Sequence, residues 1–224
     1  MRVINSLHLR LFVVVFALGG AFVSPSRGQS ESDPSVNAQL LVAARESDAQ
    51  AVRKSLDRGA APNSRNRLGK TALYIAIERG RVDIVKLMLD ADADVNLATL
   101  EKITPLIAAA YAGEPQVVDM LLAKGARLEE QDRMHKSALI YAAGMGHWQV
   151  VAQLLGAGAT IDTTYTDGLT PLMWAAGQGH SETVKLLLDM GADRSLKDDR
   201  GWTALDIAKE NKQQAVVDLL QASR

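Results

Sequence analysis

Residues 168–193 read GLTPLMWAAGQGHSETVKLLLDMGAD, and the landmarks of that stretch return along the chain at intervals of 33 residues. The tetrapeptides that start at Thr71, Thr104, Ser137, Thr170 and Thr203 are TALY, TPLI, SALI, TPLM and TALD, each one period after the last. One period before Thr71 stands Ala38, with Leu40 in line with Leu73, Leu106, Leu139, Leu172 and Leu205, which makes six units. Self-similarity at a fixed period of this size marks a stack of identical supersecondary units.

Other columns hold the same register and carry mechanical meaning. Ala43, Ala76, Ala109, Ala142, Ala175 and Ala208 follow the leucines by three residues, so both lie on one face of a short helix. A small side chain there lets neighbouring helices approach closely. Gly80, Gly113, Gly146 and Gly179 come next and suit a left-handed residue that ends the helix. A second apolar stretch then recurs at helical spacing, as in residues 84–89 and 183–188. Gly59-Ala60, Gly125-Ala126, Gly158-Ala159 and Gly191-Ala192 close the unit, with Asp92-Ala93 as the variant, and turn the chain out into a hairpin.

The pattern GxTPLxxAAxxGHxxxVxLLLxxGAD resembles the ankyrin repeat over residues 35–224. The resemblance implies an all-α solenoid of about six helix–turn–helix–hairpin units, with repeats near 35–65, 66–98, 99–131, 132–164, 165–197 and 198–224. Physics points the same way: one such unit cannot bury its own apolar face, so its neighbours supply the core. The ends depart from the pattern as capping requires. Lys54 and Ser55 replace apolar residues in the first unit; Lys212 replaces the turn glycine and Gln221 the final leucine in the last. A soluble monomer is expected.

Composition bounds the function. Hydrophobic residues make up 47% of the 224 and aromatics only 4%, so the core is built from Leu, Val, Ile and Ala. The chain has no cysteine, which excludes disulfides, thiolate nucleophiles and Cys-ligated zinc together. Residues 1–28 differ in kind: Arg2 and Arg10 precede an apolar run over 11–23, and a short turn-prone stretch follows to Gly28. That order is the layout of a secretory signal peptide. Cleavage after Gly28 fits, with Val23 and Ser26 as other sites; residues 29–34 then form a polar linker, and the expected location is the bacterial periplasm. The alternative is an uncleaved membrane anchor, but the run has 13 residues where about 20 are needed to span a bilayer. Three of the 25 basic residues precede position 29, leaving 22 against 26 acidic ones. A balance of about −4 lacks the basic footprint of nucleic-acid binding.

No motif for catalysis, metal or cofactor emerges. Gly156-Ala157-Gly158 lacks the third glycine of a dinucleotide fingerprint and reads as the repeat-closing turn. His147 and His180 stand one period apart just after turn glycines, where they read as hydrogen-bonding residues at helix starts. His135 takes a hairpin position held elsewhere by Gly69, Gly168 and Gly201, which points to a positive φ. Asp198-Asp199 reads as a pair of solvated turn residues, Trp148 as core or rim packing, and Asp206 as a cap.

Function therefore rests on the resemblance, which implies binding of a partner protein through the hairpin tips and the concave face of the first helices. The hairpins contribute Arg67, Leu68 and Lys70; Leu100 and Ile103; Arg133, Met134 and Lys136; Leu169; and Arg200 and Trp202. The helices add Arg79, Tyr111 and Met145. Leu68, Leu100, Ile103, Met134, Leu169 and Trp202 are apolar where water is the default neighbour, and they are framed by Arg and Lys as in recognition surfaces. The competing reading is that the tips pack on one another and hide Leu100, Ile103 and Leu169.

Overall fold

The computed structural model describes residues 34–222, so the signal-peptide reading and residues 29–33 of the linker lie outside the described residues. Within 34–222 the chain forms helix pairs: α1 (Pro34–Arg45) with α2 (Ala49–Asp57), α3 (Ala72–Glu78) with α4 (Val82–Asp90), and α5 (Pro105–Ala112) with α6 (Pro115–Ala123). Then come α7 (Ala138–Gly144) with α8 (Trp148–Gly156), α9 (Pro171–Gln178) with α10 (Ser181–Asp189), and α11 (Ala204–Glu210) with α12 (Gln214–Ala222). The described residues contain no strand; the projecting hairpins are built from turns. The linker reading ended at residue 34, but Pro34 already belongs to α1.

The recurring Thr explains where each first helix starts. Thr71, Thr104, Thr170 and Thr203 take extended backbone and accept the N–H of the residue three positions on, at 3.2 or 3.3 Å. This satisfies one of the free donors at a helix start. Pro105 and Pro171 follow directly, where a missing N–H costs nothing. Ser137 breaks the rule: its hydroxyl is buried, makes no cap bond and has no partner among the described residues. The helices end as the glycine column predicts, at φ of 65, 72, 77 and 81° for Gly80, Gly113, Gly146 and Gly179. In the end repeats the same column holds Ser47 at 61° and Lys212 at 59°.

First helices pack side by side from α1 through to α11, and second helices likewise from α2 to α12; the substantial packing is within a repeat or between adjacent repeats. The alanine column is buried throughout, and on the second helices Met88, Leu121, Leu154, Leu187 and Leu220 are at most 2% exposed. Ser55 stands at this same column in α2. It is buried, with its hydroxyl donated to the Ala51 carbonyl at 2.8 Å, so it does not place a polar group on the open end as expected; Lys54 does.

Polar links reinforce the stack at the bases of the hairpins. Side chains of Asn63, Asn96, Glu129 and Asp162 accept the main-chain N–H of Asp94, Arg127, Thr160 and Asp193 in the next repeat. His147 and His180 sit at second-helix starts, as expected of them. Each Nε2 meets a carbonyl on the first helix of the preceding repeat, Tyr111 O of α5 at 3.1 Å and Gly144 O of α7 at 3.0 Å.

Candidate protein-interaction face

One column missed by the sequence reading shapes the hairpins. Asn66, Thr99, Asp132, Tyr165 and Asp198 are spaced by one period. Asn66 Oδ1 accepts the N–H groups of Leu68 and Lys70, Asp132 Oδ1 those of Met134 and Lys136, and Asp198 Oδ1 those of Arg200 and Trp202. A side chain that accepts from its own downstream backbone is the Asx-turn device. Asp198 is thus a buried hairpin anchor and not a solvated turn residue. Burial alone would raise its carboxyl, but the Trp202 and Arg200 donors outweigh it and hold the group below the usual carboxylate range. His135 has φ 58°, in the left-handed region as read from the sequence, and Lys102 and Asp167 adopt it too.

Successive tips are tied to one another by main-chain bonds: Leu100 N–H to Leu68 O at 3.1 Å, Arg133 N–H to Glu101 O at 3.2 Å, and Asp199 N–H to Asp167 O at 3.0 Å. These bonds fix the backbone but leave side chains free. Leu68 is 59% exposed, Leu100 55%, Tyr111 53%, Met134 53% and Met145 44%. Ile103, Leu169 and Trp202 are only half-buried residues packed against the core, which corrects the expectation that all six apolar hairpin residues face water. The tips do not hide Leu100, and Ile103 and Leu169 are partly covered by packing against the core. Trp148 is 44% exposed on the second-helix side, so of its two expected placements it does not take the core.

The basic residues separate into paired and unpaired. Lys70 donates to Glu78 at 2.7 Å, Arg133 lies 3.7 Å from Glu101, and Arg200 binds Asp198 at 2.6 Å while lying over the Trp202 ring. Arg67 and Arg79 are exposed. The Lys136 ammonium makes no ion pair with a described carboxylate; it lies 5.4, 5.7 and 5.0 Å from the ring centres of Tyr141, Tyr165 and Trp174. Tyr74, Tyr141, Tyr165 and Trp174 are aromatic members of this face that the sequence reading passed over. Tyr165 stacks on Trp174 with ring centres 5.8 Å apart, and Tyr111 meets Tyr141 edge-on at 5.7 Å. Burial, with Glu78 nearby, pushes the Tyr74 hydroxyl up to about 12. Burial and the bond to Asp132 at 2.6 Å raise that of Tyr141 further, and burial with Asp167 nearby raises that of Tyr165, so these three phenols are neutral at physiological pH.

Two hollows open on this face. One of about 250 Å³ is lined by Tyr111, Lys136, Ile140, Tyr141, Gly144, Met145, Trp174 and Gln178. The other, about 430 Å³, is lined by Tyr74, Glu78, Ile103, Ile107, Ala108, Tyr111, Ala112 and Tyr141. No group of His, Asp and Glu among the described residues is arranged to hold a metal, and no described helix is long and apolar enough to cross a membrane.

The family model "Ankyrin repeats (3 copies)" matches residues 40–132, 93–165 and 139–223. The chain belongs to the ankyrin repeat family. Ankyrin repeats generally mediate protein–protein interaction, and the family is typically a non-enzymatic scaffold. Among curated relatives, the putative ankyrin repeat protein FPV222 of fowlpox virus is 46% identical over 50 residues, 22% of this chain and 7% of that protein. The mitochondrial disaggregases of Bos taurus and Homo sapiens are 39% and 37% identical over 93 residues, 42% of this chain and 13% of theirs. The ankyrin chain thus spans only a small part of each relative's length.

Proposed function

We propose that this protein is a non-catalytic, exported scaffold that holds a partner protein through its hairpin tips and the adjoining face of the first helices. The observation that carries the reading is the row of Leu68, Leu100 and Met134, each more than half exposed on three consecutive hairpins, continued onto the helices by Tyr111 and Met145. Apolar side chains held in water by rigid backbone are the compositional mark of a contact surface. The tip-to-tip bonds support this, because a preorganised surface loses less freedom on binding. The partner-binding set then comprises the exposed residues, with half-buried Lys70, Ile103, Lys136, Leu169 and Trp202 beside them. The array acts as a monomer, with Lys54 and Gln221 keeping its ends polar.

Export rests on Arg2, Arg10 and the apolar run over 11–23. The rival is a membrane-tethered adaptor that retains this run. The mass of the N-terminus of the native protein separates the two: loss of residues 1–28 supports export with cleavage, and an intact N-terminus refutes it. The binding face is tested by affinity capture from an envelope extract with the native chain and with a Leu68→Ser, Leu100→Ser, Met134→Ser variant. A protein retained by the first and lost by the second supports the reading. Capture unaffected by the triple change moves the contact away from the hairpins.

A further inference from the structure

The 33-residue period provides an internal control for Lys136. Two periods earlier stands Lys70, which lies over the Tyr74 ring at 5.2 Å and donates to Glu78 at 2.7 Å. The residue two periods after Glu78 is Gly144. Lys136 also lies over aromatic rings, supplied by Tyr141, Tyr165 and Trp174 because Ile140 occupies the column of Tyr74, but it lacks the carboxylate, and Gly144 lines the hollow into which such a side chain would extend. The nearest atoms to a Cβ built on Gly144 are ring carbons of Trp174, at 3.6 to 3.8 Å, which is ordinary contact. The glycine is thus not demanded by the backbone or by crowding; its effect is an open hollow beside an unpaired cation.

Other atoms of the same cluster are unsatisfied. Trp174 Nε1 and the Tyr165 hydroxyl are buried and make no hydrogen bond with the described residues. The ammonium of half-buried Lys136 and a neutral indole donor call for an acceptor bearing negative charge. The adjoining 430 Å³ hollow, which shares Tyr111 and Tyr141 as its wall, is mostly apolar; Glu78 is the one carboxylate in its lining, and it is already paired with Lys70.

We propose that the Lys136–Trp174 hollow receives an aspartate or glutamate side chain of the partner protein, with an apolar side chain of the same segment seated in the hollow beside Tyr74 and Ile103. The incoming carboxylate takes the place that Glu78 holds in the second repeat, and the three rings around Lys136 keep its ammonium from being lost to bulk water. This rests on the protein-binding reading above and names the chemistry of the partner at that face.

The test uses terminally blocked tetrapeptides that carry one leucine and one glutamate in either order, titrated into the full chain while the Trp174 indole N–H resonance is followed, with Trp174→Phe for its assignment. Saturable shifts with a Kd near 1 mM, a value typical of so small a ligand, are expected. The glutamine analogues should bind at least about tenfold more weakly, the loss of one charge-assisted bond. Lys136→Met should remove the response and Lys136→Arg should keep it. Gly144→Glu should restore the internal pair and block the peptide while leaving the chain folded, so a lost signal there is not a folding artefact. Equal shifts from glutamate and glutamine peptides, or glutamate binding that survives Gly144→Glu, overturn the proposal. So does the absence of any shift up to about 10 mM, a concentration at which such binding would be largely saturated. Failure of the broader reading looks different: no protein whose capture depends on Leu68, Leu100 and Met134.

Discussion

Replacing Asp132 with alanine should damage the fold far more than replacing it with asparagine. The carboxylate is 6% exposed and accepts three hydrogen bonds: Met134 N–H at 2.8 Å, Lys136 N–H at 2.9 Å and the Tyr141 hydroxyl at 2.6 Å. Alanine strands all three donors. A part-buried donor left without an acceptor costs about 1 to 3 kcal/mol, and bonds to a charged group sit at the upper end of that range. Water reaches the exposed tip at Met134 and moderates one of the three, so the sum is about 3 to 5 kcal/mol. Asn66 shows what an amide can do at this column, since its Oδ1 accepts the same two main-chain donors in the second repeat. Asp132→Asn keeps those two bonds and exchanges only the Tyr141 bond for a neutral one, at about 1 kcal/mol. Urea unfolding followed by circular dichroism measures both, with Tyr141→Phe isolating the hydroxyl. An asparagine variant as unstable as the alanine one, or an alanine variant costing under about 1 kcal/mol, would refute the Asx-turn account of the hairpins.

Gly146→Ala should cost more than Gly125→Ala. Both need positive φ, worth about 1 to 2 kcal/mol, but a Cβ at Gly146 falls 2.6 Å from the His180 ring and one at Gly125 meets nothing within 4 Å. Equal losses in thermal unfolding would deny the clash. Leu154→Ala, at a site 0% exposed, should lower stability by about 2 to 5 kcal/mol. Met134→Ser, at 53% exposure, should stay within about 0.5 kcal/mol, as denaturant titration of the two will check. Acid should weaken the C-terminal repeat. The Thr203 N–H and hydroxyl hold the Asp206 carboxyl below its ordinary range, and the net effect at Asp198 has the same sign. A carboxyl whose folded pKa is depressed contributes stability in full above the unfolded value near 4 and loses it as pH falls through the folded value. The melting temperature should therefore drop as pH goes from about 5 towards 2, and Asp206→Asn should shrink that drop.

The period made the helices, their glycine ends and the alanine column legible, because each landmark answers to one repeat and its immediate neighbour. Lys54 and Ser55 show the limit of that reading: both are polar replacements in sequence, but the column of Met88 turns Ser55 inward and leaves only Lys54 in water. Asp198 was misread for a related reason. Aspartate in a turn suggests solvent until one notes that Asn66, Asp132 and Asp198 share a column four residues before Lys70, Lys136 and Trp202, which is the spacing its acceptor role requires. Lys136 and Tyr111 were selected as candidates, but the cluster around Lys136 was not visible. Tyr141 on α7 and Trp174 on α9 stand one period apart, but the period connects neither to Lys136 nor to Tyr165 on the next hairpin, and only the fold brings the four together. Tyr165 stands where the other hairpins carry Asn, Thr or Asp, so a departure from the column was the available signal.

Site-specific photo-crosslinking tests the central claim most directly. A photoreactive residue placed in turn at Met134 and Tyr111 on the hairpin and first-helix face, and at Gln149 and Lys185 on the second helices, is activated in envelope extract. All four positions are exposed. The account predicts one common adduct from positions 134 and 111 and none from 149 and 185. An adduct formed through the second-helix positions, with 134 and 111 silent, would contradict it.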